Sequence, residues 1–389
     1  AEVTSTTAGT YVVTATVNGK STQKNTTFVA DLATANITDA NLSISPDGSV
    51  ANGHETNGVE AVVTDVYGNV VAGAEVSFSM SSDKASVTTL IGTTGADGKA
   101  TATVTSTTAG TYVVTAKVNG TETHKNTTFV ADSTTAEIKD ANLTIDPDGA
   151  VADGVTKNSV AAVVSDAHGN LVSGAAVSFS VESGATITTV NGTTGADGKA
   201  TADITSTTAG TYAVTATVNG KSVQKNTTFV ADTGTAEIVA ANMTVEPDGA
   251  AANGTDKNTV KVSVTDAQGN VVPDTEVSFN VAGSAAITPA SGKTDANGKV
   301  SADITSIVAG TYKVSASVNG KTQVKDTTFV ADSATAEITD ANLTIDPDNS
   351  PANGTAKNGV VAVVTDAQGN LVPGAAVSFT VADGASITT

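Results

Sequence analysis

Ala209-Gly210-Thr211-Tyr212-Ala213-Val214-Thr215-Ala216-Thr217-Val218-Asn219-Gly220 is the stretch on which the fold turns. It returns almost unchanged from Ala8, from Ala109 and from Ala309, at spacings of 101, 100 and 100 residues. A fixed period of this size predicts tandem copies of one small domain. Within the stretch, Tyr212, Val214, Ala216 and Val218 alternate with Ala213, Thr215 and Thr217. The next copy replaces the second set with Lys313, Ser315 and Ser317, so the first set faces inward. Asn219-Gly220 is a strong hairpin signal, because both positions must accept positive φ.

The neighbouring segments read as strands too. In copy two, Ala136-Glu137-Ile138 and Leu143-Thr144-Ile145 form a broken first strand, followed by the turn Asp146-Pro147-Asp148-Gly149. Val160 to Ser165 is the second strand, Ala176 to Val181 the third and Thr186 to Thr189 a short fourth. Ala200 to Thr205, Tyr212 to Val218 and Lys221 to Val230 complete seven. Inward sets recur as Val260, Val262, Val264 and as Val277, Phe279, Val281. No stretch has a helical period. The expected fold class is all-β: tandem immunoglobulin-like sandwiches of about seven antiparallel strands, arranged as an elongated rod. Tyr212 opens the sixth strand after a Thr-Ala-Gly corner, as the tyrosine of an immunoglobulin corner does, its hydroxyl capping an upstream backbone group. Val214 stands where an antibody-type domain has its second Cys, and the chain has neither Cys nor Trp.

The expected divisions are 1–33 (the C-terminal part of a repeat), the repeats 34–133, 134–233 and 234–333, and 334–389 (the N-terminal part of another). The last copy stops at Thr389, after its fourth strand. Both partial copies leave open cores and strand edges. The chain therefore reads as a window on a longer periodic protein, completed by flanking sequence or a neighbouring molecule. The link Ala231-Asp232-Thr233-Gly234-Thr235 is too short for a free coil, so neighbouring repeats are expected to touch.

The net charge of −20, with every basic residue a Lys, disfavours nucleic acid and anionic membranes as partners. No apolar run approaches a membrane span. His54, His124 and His168 occupy three different repeat positions and are expected in exposed loops. No nucleophile elbow, phosphate-cradling loop or His-Glu-x-x-His occurs. No catalytic, cofactor-binding or metal residue is assigned, and no enzyme is expected. Asp146, Asp148 and Asp166, with Asn170 and the junction residue Asp132, supply oxygens of the kind Ca²⁺ uses. Turn-forming side chains are the favoured reading, and Ca²⁺ stiffening the junctions is the alternative. Asn-x-Thr triplets such as Asn226-Thr227-Thr228 are read as strand, and outward threonines as solvated surface, with an O-glycosylated stalk as the alternative.

Several motifs carry a family resemblance. They are Thr-Asp-Ala-Gln-Gly-Asn (265–270, 365–370), Thr-Asp-Ala-Asn-Gly-Lys (294–299), Asn-Thr-Thr-Phe-Val-Ala-Asp (226–232) and Ala-Asn-Leu-Thr-Ile-Asp-Pro-Asp (341–348). In this order and period the chain resembles group 1 bacterial immunoglobulin-like repeats of intimin- and invasin-like inverse autotransporters. The resemblance implies the stalk of a Gram-negative surface adhesin, outside the cell and anchored in the outer membrane through sequence not present here. It implies a distal tip that meets a host or bacterial receptor in adhesion or biofilm formation. Partners are then the neighbouring repeats, with head-to-tail or lateral contacts between copies. Two other readings are repeats that themselves bind receptor, glycan or like copies, and a spacer of a glycan-degrading enzyme.

Overall fold

Alternating inward aliphatics cover one face of each strand, and two such sheets close on one another wherever a complete copy is present. The computed structural model describes residues 1–388; Thr389, read as the end of a fourth strand, lies outside them. The chain divides into two compact units. One is Ala1–Asp148 with Asn158–Ile204 and Tyr212–Thr227; the other is Gly149–Lys157 with Thr205–Thr211 and Thr228–Thr389.

The first unit begins with a hairpin, β1 (Gly9–Val17) and β2 (Lys20–Phe28), a sheet of two strands. A sandwich follows, from β3 (Leu42–Ile44), β4 (Asn57–Val62), β5 (Ser77–Met80), β6 (Ala85–Ile91), β7 (Lys99–Ser106), β8 (Gly110–Val118) and β9 (Thr121–Phe129). Its sheets run β3-β4-β7-β6 and β5-β8-β9, with antiparallel neighbours. Val59, Ala61, Val104, Val114, Ala116 and Phe129 meet between them. Val114 is fully buried where the disulfide of an antibody domain would stand, so packed aliphatics fill that space.

In the next copy the strands are β10 (Glu137–Ile145), β11 (Ala150–Val151), β12 (Asn158–Ser165), β13 (Ser178–Val181), β14 (Ala185–Asn191), β15 (Lys199–Ser206), β16 (Gly210–Val218) and β17 (Lys221–Val230). The expected break in the first strand is a register shift between Ile138 and Leu143. The third strand is shorter than expected: Ala176 makes only an isolated bridge to Thr193. The fourth is longer, reaching Asn191. The two-residue β11 pairs parallel with β17, an addition that periodicity did not signal.

The second unit contains β18 (Met243–Val245), β19 (Asn258–Ser263), β20 (Glu276–Val281), β21 (Ala286–Thr288), β22 (Ser291–Lys293), β23 (Lys299–Thr305), β24 (Gly310–Val318) and β25 (Lys321–Phe329). Their sheets are β18-β19-β23-β21 and β22-β20-β24-β25. Val260, Val262, Val277, Phe279, Ile304 and Phe329 form the core, on the parity read from sequence. A last pair, β26 (Leu343–Ile345) and β27 (Val360–Ala362), forms a two-stranded sheet. In the terminal pieces no described strand covers the inward face, so Tyr11 is 37% exposed where Tyr112 is 7%.

The tyrosine corner is built as expected. Tyr112 donates its hydroxyl hydrogen to Thr108 O at 2.7 Å, Tyr312 to Val308 O at 2.7 Å, and Tyr11 to Thr7 O at 2.8 Å. The ring packs on the last phenylalanine of its copy, with centroids 6.3 Å apart for Tyr112–Phe129 and 6.1 Å for Tyr312–Phe329.

Candidate functional site

The corner does more than close its own sandwich. Tyr112 fixes the carbonyl of Thr108, and the residues on either side, Thr107 and Ala109, turn their backbone groups toward the following copy. There they meet the loop Asp166-Ala167-His168-Gly169-Asn170. Ala109 N donates to Asn170 Oδ1 at 2.8 Å, and Asn170 Nδ2 donates back to Thr107 O at 3.0 Å. One amide side chain thus satisfies one donor and one acceptor of the preceding repeat.

Asp166 holds that amide in place. It accepts from Asn170 Nδ2 at 2.8 Å, from the backbone N–H of Asn170 and of His168, and from Asp132 N in the linker at 3.0 Å. The loop reverses between Asp166 and Asn170 through Gly169 at φ 86°, a conformation glycine adopts without strain. Burial pushes the Asp166 carboxyl up, but the Asn170 amide and the backbone N–H groups of Asp132, Asn170 and His168 outweigh it. Its pKa lies below the ordinary aspartate value. A hairpin asparagine grips the other side of the linker, as Asn219 Nδ2 donates to Ser133 O at 2.8 Å and to Ala136 O at 3.4 Å.

The same clamp recurs inside each unit. In the first, Asn69 accepts from Ala8 N and donates to Thr6 O, while Asp65 takes Asp31 N. In the second, Asn270 meets Ala209 N and Thr207 O, and Asp266 takes Asp232 N at 3.0 Å. Asn370 meets Ala309 N and Ile307 O, and Asp366 takes Asp332 N. Linker and loop are further joined by antiparallel bridges Asn36↔Thr64, Glu237↔Thr265 and Glu337↔Thr365. Consecutive repeats touch at these points, as the short linkers predict.

The residues read as possible Ca²⁺ ligands separate into two constellations. Asp132, Asp166 and Asn170 come together in the clamp, where the Asp166 oxygens already accept N–H donors. Asp148 belongs to another network: its Oδ1 accepts from Asn158 Nδ2 at 3.1 Å and from Thr227 Oγ1 at 2.8 Å. Asn158 and Thr227 are fully buried. This pins the Asp-Pro-Asp-Gly turn to the last strand. Asp146 sits at the start of that turn, exposed, its N–H on Ser159 O. Among the described residues no three His, Cys, Asp or Glu side chains are grouped to hold a metal ion.

His54 and His168 are exposed loop residues as expected, but His124 is not in a loop. It lies on the outward face of β9, its Nδ1 2.9 Å from Thr115 Oγ1, because the hairpin strand continues through it. In Asn226-Thr227-Thr228 the middle threonine is a buried structural partner, so this triplet is strand as read. From sequence, Asp166 and Asn170 had a junction role only as possible Ca²⁺ ligands, not as hydrogen-bond partners of the preceding corner. The signal for Asp-x-x-Gly-Asn was available: the two loop residues after the Asp change from Val66-Tyr67 to Ala167-His168 to Ala267-Gln268, while Asp, Gly and Asn stay.

Sandwiches closed by a tyrosine corner, each corner handed to the next copy, define a tandem immunoglobulin-like repeat protein. The chain belongs to the bacterial Ig-like domain (group 1) family, which matches residues 39–130, 140–230, 240–330 and 340–389. It is 34% identical over 364 residues to the inverse autotransporter adhesin YeeJ of Escherichia coli strain K12, covering 88% of this chain. The matched part is 15% of YeeJ, so the chain spans a small fraction of that relative. Two solved structures share the fold. The Escherichia coli adhesin FdeC superposes with a TM-score of 0.53 at 23% identity, over 78% of this chain and 100% of its own. Yersinia pseudotuberculosis InvD does so with 0.52 at 18%, over 75% and 98%. As tandem repeats of this family the segment is structural, not enzymatic.

Proposed function

We infer that this segment is a stalk of a Gram-negative surface adhesin, lying outside the cell. Sequence outside the 389 residues anchors it to the outer membrane and carries a distal tip that meets the receptor, in cell adhesion or biofilm formation. The observation that carries the reading is the repetition of one clamp, Asp-x-x-Gly-Asn on the preceding corner, at successive junctions. A spacer needs identical joints more than it needs a distinctive surface patch. The relationship to an inverse autotransporter adhesin supports the same setting.

The test uses the full-length protein on cells. Removing one period of about 100 residues at a time should lower adhesion stepwise while the purified tip keeps its receptor affinity. Purified repeats that block adhesion as well as the tip does would overturn the reading.

A further inference from the structure

Outer strands of these sheets are mostly short or charged. β3 has three residues and β5 four, and β10 carries Glu137, Lys139 and Asp140. Two strands differ. β6 (Ala85–Ile91) and β14 (Ala185–Asn191) each run seven residues at the end of a sheet, without a charge, a proline or a glycine. Ser86, Thr88 and Leu90, and Thr186, Thr188 and Val190, are all exposed. A long edge offers a row of backbone N–H and C=O groups to another strand, and β6 keeps a regular register against β7 from Ala85 to Thr89 before it shifts ahead of Ile91. Folded proteins ordinarily blunt it with Lys, Pro or a very short strand. The third copy shows such blunting: Pro289 follows the three-residue β21, and the next segment, β22, pairs with β20 in the opposite sheet.

We propose that β6 and β14 pair edge to edge, antiparallel, with the same strands of a second copy of this chain. The partner follows from charge and from symmetry. Two chains of net charge −20 repel, and these neutral edges are where they approach at least cost. An isologous contact needs a strand that complements itself about a two-fold axis. With Thr188 on the axis, Thr186 falls opposite Val190 and Ile187 opposite Thr189, so β-branched side chains meet on both faces. Pairing β6 with β14 sets Thr88 against Thr188 in the same way. The contact is independent of the stalk reading, since it concerns the folded repeats alone.

Sedimentation equilibrium on the 389-residue chain tests it, with two double variants, T88K/T188K and T88E/T188E. Each puts like charges face to face at the centre of the contact. Wild type should move from the single-chain mass of 38.1 kDa toward twice that with rising concentration. At each concentration either variant alone should lie nearer the single-chain mass than wild type, the open terminal pieces being the same in all three, and an equimolar mixture of the two should regain the wild-type mass. The proposal is overturned if wild type remains single at all concentrations, if either variant associates as wild type does, or if the mixture does not recover.

Discussion

Asp266 shows how one side chain can hold a junction. Buried to 3% exposure, it accepts from Gln268 N, Asn270 N, Asn270 Nδ2 and Asp232 N. Replacing it by Ala leaves those donors without their acceptor. The expected loss is about 1–3 kcal/mol in the surrounding repeat, read from the urea midpoint. Tyr112 offers a second test at this scale. Tyr112→Phe removes only the hydroxyl bond to Thr108 O, costing on the order of 1 kcal/mol. Because that bond positions the corner, Ala109 N–H, which is bound to Asn170 rather than to Tyr112, should also exchange faster with deuterium. Unaltered Ala109 exchange would mean that corner and clamp are independent.

At the scale of the element, the hairpin asparagines combine two demands. Asn319 sits at φ 48° beside Gly320 at 74°, and its amide reaches Thr233 O at 2.8 Å and Ala236 O at 3.2 Å. Gly at 319 keeps the backbone conformation and loses the linker contacts; Ala loses both. Asn319→Ala is therefore expected to be less stable than Asn319→Gly by about 1 kcal/mol, and Asn319→Gly less stable than wild type, in denaturant unfolding. Equal stability of the two variants would remove the conformational part of the argument. The exposed Lys–Glu and Lys–Asp pairs along the strands, such as Lys117–Glu122 at 3.0 Å, add little beside this.

Across the whole molecule the clamps titrate in common. Burial raises the carboxyls of Asp65, Asp166, Asp266 and Asp366, yet the matching Asn amide and backbone N–H groups hold each below the ordinary 3.8. A carboxyl with a depressed folded pKa stabilises the fold fully above its unfolded value, and that contribution is lost as pH falls through the folded value. Melting temperature should thus be insensitive to these groups near neutrality and drop as the medium is taken below 3.8. Thermal scans across that range check it. A fall already complete well above that value would point to other groups. The clamp oxygens accept N–H donors, so adding Ca²⁺ or a chelator is expected to leave the melting temperature unchanged. A rise with Ca²⁺ would show that the cation displaces those donors.

Periodicity, strand parity and the corner tyrosine were legible in the sequence because they depend on local alternation and on steric rules that act within a few residues. The hundred-residue repeat then let one copy check another, as Lys313 did for Ala213. The junction was legible only in part. A short linker implied contact, but Asp166 and Asn170 read as turn formers or cation ligands, since both uses call for the same oxygens. Their hydrogen-bond partners in the preceding repeat came from the tertiary structure alone. It brings Ala109 N within 2.8 Å of Asn170 Oδ1 across 61 residues of chain, and Thr227 to Asp148 across 79. Hydrogen bonds over such separations leave no periodic trace. The second exists once one sandwich has closed, and the first once two have set a corner and a loop side by side.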